Sequence, residues 1–217
     1  MKILTKIMAI LALAALAACE SGAPLSGDTG SAAAPGQANA STMVRLDGRG
    51  GSIAAQAAPS MYAVRSVEVT VPSSLTVSEA NLFYPKADIV WRDEPVGDRY
   101  AQVKAVMAQG LAKGTANMRT GPPAVVAVRV ERFHSLTEKA RFSVGGVHNL
   151  VFVLTVRNAA SGAILDGPRR VEVAIRASGG GKALAEDAAG KTQRVVIVAG
   201  LAEAIRRELA QGPAGTN

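Results

Sequence analysis

The chain has 217 residues and a formal net charge of +7; 48% of its residues are hydrophobic but only 4% aromatic. Its single cysteine excludes an internal disulfide, and two histidines leave little for acid–base or metal chemistry. The few aromatics do not interleave with basic positions, so no nucleic-acid partner is expected.

Lys2 and Lys6 precede an apolar run from Ile7 to Ala18, the layout of a secretory leader. The run of about 12 residues is too short for a membrane-spanning helix, which needs about 20. It ends in Leu16-Ala17-Ala18-Cys19, which resembles the lipobox of bacterial lipoproteins. The resemblance implies removal of residues 1–18, diacylglycerol on the Cys19 sulfur and a further acyl chain, such as palmitate, on the new N-terminus. The membrane is then a partner through the covalent lipid at Cys19. Several acyl chains anchor firmly where one holds only marginally. A lipidated Cys19 leaves no thiol for catalysis or metal binding. The alternative is cleavage after Ala15-Leu16-Ala17, an A-x-A site, which gives a soluble periplasmic protein. In the lipoproteins this segment resembles, Asp after the lipidated Cys favours inner-membrane retention. Glu20 at that position implies the outer membrane, on its periplasmic face, with an inner-membrane lipoprotein as alternative.

Residues 19–59 are rich in Gly, Ala, Ser and Pro and lack aromatics, which predicts a flexible tether carrying the lipidated Cys. As a Gly-rich coil it spans on the order of 35 Å. Residues 60–212 are expected to form one domain, with a disordered tail at 213–217. Loss of Lys2 and Lys6 lowers the net charge from +7 to +5, and 16 of the 24 Lys and Arg are Arg.

Within the domain, Val67, Val69 and Val71 alternate with polar residues, predicting a half-buried strand ended by Pro72. Ile89-Val90-Trp91 adds a short strand. Asp98 is positioned to cap a helix running to about Lys113, with Val103, Val106, Met107 and Leu111 on one face. Val126, Val128 and Val130 mark the next strand. His148 to Arg157 is apolar on both faces and is therefore expected at the centre of the sheet. After a turn at 158–162, Val171, Val173 and Ile175 alternate along another strand. A last helix, Thr192 to Gln211, carries a stripe containing Val195, Val198, Leu201, Ile205 and Leu209. The expected class is α+β: an antiparallel sheet of about four to five strands with two amphipathic helices packed on one face.

The opposite sheet face is predicted to carry Arg129, Arg157 and Arg176 beside Glu131 and Glu172. Cross-strand Arg–Glu pairs are one reading of that face, and an anion-binding surface is the other. Trp91, the lone Trp, is a core anchor in one reading and an exposed partner hot spot in the other. It lies in a long loop, Leu82 to Gly97, of the kind that carries function. Trp91, Arg129, Arg157 and Arg176 are the candidate ligand-binding residues.

No catalytic constellation stands out, and no metal or cofactor is expected. Ala185 to Thr192 resembles a loose Walker A motif. It lacks the first glycine, places Glu186 and Asp187 where phosphates would sit, and follows no core strand, so no nucleotide is expected. In the structural reading, Gly190 is a turn residue and Thr192 an N-cap. A hydrolase or metal-dependent enzyme would have only His134 and His148, which a hairpin would let reach each other; two structural histidines are the expectation.

With Ala87 to Arg92, Gly97 to Val103, Arg132 to Glu138 and Gly145 to His148, residues 60–211 resemble an uncharacterised family of proteobacterial lipoproteins. That resemblance implies no catalytic residues. The architecture is also similar to small outer-membrane lipoproteins that assist envelope assembly or lipid traffic. The expected role is a non-enzymatic, lipid-anchored binding or assembly module with an envelope protein partner. The alternative is a binder or carrier of an anionic lipid or glycan.

Overall fold

The computed structural model describes residues 60–212; the leader, Cys19 and the predicted tether and tail lie outside them. The chain enters through β1 (Ala63–Thr70) and a long connection containing β2 (Ile89–Val90). It then forms α1 (Arg99–Thr115), β3 (Pro123–His134) and the single turn α2 (Glu138–Arg141). A long hairpin, β4 (Gly146–Asn158) and β5 (Ile164–Ala177), leads to α3 (Gly180–Ala188) and α4 (Gln193–Ala210).

The five strands make one sheet in the order β1-β3-β4-β5, with β2 beside the far end of β3 on the edge that β1 occupies. The α+β class holds, but the sheet is mixed, not antiparallel throughout. β3, β4 and β5 are antiparallel neighbours, whereas β1 and β2 run parallel to β3. The cause lies in the connection. α1 stands between β1 and β3, and a strand–helix–strand crossover returns the chain in its original direction.

β4 is central, as its two apolar faces require. Leu150, Phe152, Leu154 and Val156 are fully buried toward the helices. They meet Val126, Val128 and Val130 of β3, Val103, Met107 and Leu111 of α1, and Leu201 and Ile205 of α4 in one core. Val151, on the other face, is only 3% exposed although no helix lies over it; the strands on either side carry long charged side chains there.

Asp98 caps α1, its carboxylate accepting the Ala101 N–H at 3.0 Å. Thr192 caps α4 and accepts from Val195. The apolar buried stripe of α4 begins at Ile197, after a buried Gln193, and Val195, expected in it, is half exposed. Two helices beyond the expected pair appear. α2 is too short to leave a periodic signal, and α3 buries only Ala183, so neither shows an apolar stripe. None of the described helices is long and apolar enough to cross a membrane.

Candidate functional site

The connection from β1 to α1 is held to the domain by side chains. Thr76 donates its N–H and its hydroxyl to one oxygen of Asp88, at 2.8 and 2.7 Å. These bonds hold the Asp88 carboxyl below the usual range. Arg99 is almost wholly buried and grips both oxygens of Glu79, at 2.6 and 2.9 Å. That bond is the main reason Glu79 titrates below a free glutamate. Arg92 joins the Glu79 backbone carbonyl to Glu138 on α2. Burial pushes Glu138 up, and the Arg92 guanidinium together with the Glu138 backbone N–H and the Arg99 charge brings it below the usual value.

Beyond Glu79 the loop is laid against α2. The Thr137 hydroxyl donates to the Leu82 carbonyl and the Lys139 N–H donates to Asn81, both at 2.8 Å. The His134 ring bonds the Ala87 carbonyl, tying the same loop to the end of β3. Burial sets the His134 pKa below its ordinary value despite that bond. These ties fix the backbone on both sides of Phe83 and Tyr84 and leave the two rings at the surface, 41% and 90% exposed. The Lys139 ammonium sits 4.9 Å from the Phe83 ring centroid.

Between this loop and the ends of β3 and β4 lies an open cleft of about 530 Å³. Phe83, Tyr84, Leu136, Val144 and Val147 supply its apolar walls, and Arg132, His134, Ser135, Asn149 and the carboxylate of Glu172 its polar ones. Val144, Gly146 and Val147 also border a second depression of about 610 Å³. That depression carries Arg176, Lys182 and Lys191 with a single carboxylate, Glu186. An apolar cleft thus runs directly into a cationic one.

Trp91 does not belong to this surface. It is fully buried and stacks edge-on against Phe133 at 5.6 Å between ring centroids, which corrects its assignment as a ligand contact. Nor do the three sheet arginines converge. Arg129, Arg157 and Arg176 stand beside Val153, Val125 and Val147, and both Val125 and Arg157 lie at the opposite end from Arg176. Positions 147 and 157 of β4 are about 33 Å apart at ~3.3 Å per residue. Arg157 is moreover paired with Glu68 across the sheet, and Arg170 with Glu131 and Glu172. Only Arg176 lines a depression described here.

The histidines do not form a pair either. His134 stands opposite Asn149, so His148, one residue earlier on β4, points to the other face of the sheet. The Walker-like segment is the junction of α3 and α4. Lys191 is held by Glu186 at 3.0 Å, Asp187 pairs with Arg141, and Gly190 turns the chain at φ 75°. No group of three or more His, Cys, Asp or Glu stands together as a metal site among the described residues. Cys19 lies outside those residues. Sequence reasoning singled out the loop but missed Phe83 and Tyr84. The signal was there: Leu82-Phe83-Tyr84-Pro85 is an apolar run with no strand or helix period.

The fold is a two-layer α+β domain whose sheet is covered by helices on one side, with an apolar–cationic cleft at one end. Residues 62–217 match the model of a family of unknown function (DUF6778), and the chain belongs to that family. A search of the curated proteins finds no match. Among solved structures, a Caulobacter crescentus protein provisionally assigned to the lipoproteins matches at 18% identity and TM-score 0.32, over 50% of this chain and 80% of its own. The PelC dodecamer of Paraburkholderia phytofirmans matches at 13% identity and TM-score 0.33, over 70% of this chain and 92% of its own. A Xanthomonas campestris protein of the DUF330 family matches at 11% identity and TM-score 0.33, over 71% and 82%. At these scores the likenesses describe those proteins and carry nothing over to this chain.

Proposed function

We propose that the protein is a non-enzymatic binding module of the bacterial envelope. In this reading it is anchored by lipid on Cys19 to the periplasmic face of the outer membrane, and it engages an envelope component through the Phe83–Tyr84 cleft. The observation that carries the binding surface is the exposure of two aromatic rings on a loop that is otherwise tied down. Hydrogen bonds hold Asn81, Leu82 and Ala87, yet Tyr84 between them remains 90% exposed. Aromatic side chains held rigidly at the surface are the usual anchors of binding. The anchor rests on Leu16-Ala17-Ala18-Cys19 and on Glu20.

In-cell crosslinking of the tagged protein, capture from isolated envelopes and mass spectrometry test both parts. Phe83→Ser combined with Tyr84→Ser is expected to lower recovery of the crosslinked component several-fold at unchanged protein level. Labelling with radioactive palmitate is expected to vanish in Cys19→Ala. Recovery that ignores the aromatic pair would remove the cleft from the proposal, and label retained without Cys19 would remove the anchor.

A further inference from the structure

We propose that the component engaged at this end of the domain is an anionic lipid surface, with Tyr84, Val144 and Val147 entering the headgroup region. This rests on the envelope-binding reading of the same surface and names its partner. Two segments meet there, the loop at 82–85 and the turn from α2 into β4. Both expose apolar side chains: Tyr84 at 90%, Val144 at 73%, Leu82 at 53% and Val147 at 46%. Contiguous apolar exposure of this kind marks an interaction site on a soluble domain.

The charges around it decide the partner. Lys86, Arg132, Lys139, Arg176 and Lys182 have no carboxylate within ion-pair distance among the described residues. The acids at this end are engaged by cations, except Asp88, which Thr76 holds and whose charge is felt by Arg132 and His134. Glu138 binds Arg92, Asp187 binds Arg141, Glu186 binds Lys191, and Glu172 pairs with Arg170 and accepts from Asn149. The surface therefore presents apolar tips beside cations that have no ion-pair partner among the described residues: Arg132, Arg176 and Lys182 in the linings and Lys139 over the Phe83 ring. That order matches a lipid–water boundary, where rings and aliphatic groups sit among the glycerol backbones and Lys and Arg extend to the phosphates. The projection of the tips agrees with this, because a closed pocket for one small molecule would bury them. A lipid on Cys19 would keep the domain close to such a surface, and the patch would set which end of it faces the bilayer.

The test uses the mature chain from residue 19 carrying Cys19→Ser, so that no lipid assists. Co-flotation is measured with vesicles of phosphatidylethanolamine and phosphatidylglycerol and with vesicles of phosphatidylcholine alone. Binding is expected on the anionic vesicles only, weakening as salt is raised. Arg176→Glu with Lys182→Glu, and separately Tyr84→Ser with Val144→Ser, should each lower partitioning on the order of tenfold at an unchanged thermal midpoint. Equal binding to both vesicle types, no binding to either, or saturable binding of monomeric short-chain phosphatidylglycerol with none to vesicles would each overturn the proposal. If vesicle binding fails while crosslinking to an envelope component still depends on Phe83 and Tyr84, the binding-module reading stands and only the lipid surface falls.

Discussion

At the scale of single residues, His148 is the least comfortable group in the domain. It is wholly buried, and neither ring nitrogen has a hydrogen-bond partner. Burial, with the Arg141 charge second, pushes its pKa from 6.5 down to about 4. The unfolded chain takes up this proton below about pH 6.5, whereas the folded chain refuses it until about pH 4. Between those values the unfolded state binds more protons, so stability is full above the window and falls as pH drops through it. The loss amounts to roughly 3 kcal/mol across the window. Urea midpoints at about pH 7 and about pH 4.5 are expected to fall further in the wild type than in His148→Phe. The carboxylates titrate in both proteins, so a parallel fall would show that His148 is not the group responsible. Its burial was legible in the sequence, since His148 shares the period-two face of Leu150 and Phe152. Trp91 was not legible in that way. One charged residue after a three-residue apolar run does not tell which face of so short a strand turns inward.

Between elements, the contact of α1 with α4 is set by two glycines one turn apart. A Cβ on Gly114 would lie 2.2 Å from the Ile205 side chain and 2.6 Å from the Ala202 backbone oxygen. On Gly110 it would lie 2.7 Å from the Leu201 Cβ. Helix propensity alone favours alanine by about 1 kcal/mol. Overpacking against backbone that cannot swing aside costs about 1–3 kcal/mol and should win at Gly114. Gly114→Ala is therefore expected to lower the thermal midpoint, and by more than Gly110→Ala does. A raised midpoint would mean that α4 slides away freely. The aromatic loop makes a second case. Arg92→Ala removes the bonds from the guanidinium to the Glu79 carbonyl and to Glu138. Local opening of residues 79–85 should become easier by on the order of 1 kcal/mol. Amide exchange is expected to speed up there and stay unchanged in β4; a uniform increase would mean that Arg92 supports the whole fold instead. Apolar period revealed β1, α1, β3, β4, β5 and α4. It could not reveal α3, which hides a single alanine, or the clamp at Glu79, whose partners lie 13 and 20 residues away.

For the molecule as a whole, strand direction was the part that side-chain alternation does not encode. Alternation tells which face a strand buries and says nothing about which way its neighbour runs. The usable clue was the helix between β1 and β3, because a crossover that long returns parallel. The consequence is a core assembled from distant parts of the chain. Tyr62 and Val69 in and before β1, Trp91 in the connection, Phe152 in the hairpin and Leu209 at the end of α4 belong to one buried cluster. With no second core among the described residues, the domain should unfold in one cooperative step. Trp91, the only Trp in the chain, reports on this directly. Buried against Phe133, it should emit at short wavelength in the native protein and shift to the red on unfolding. It also sits in the connection that carries the aromatic loop, the segment with the least regular structure. If that connection were a separate, weaker unit, Trp91 fluorescence would change at lower urea than the far-ultraviolet dichroism of the helices. The shared core predicts that the two transitions superimpose, with the same midpoint and slope. Separated transitions would show that β2 and the cleft-bearing loop detach before the sheet and helices, and the cleft would then be a feature of a partly independent flap.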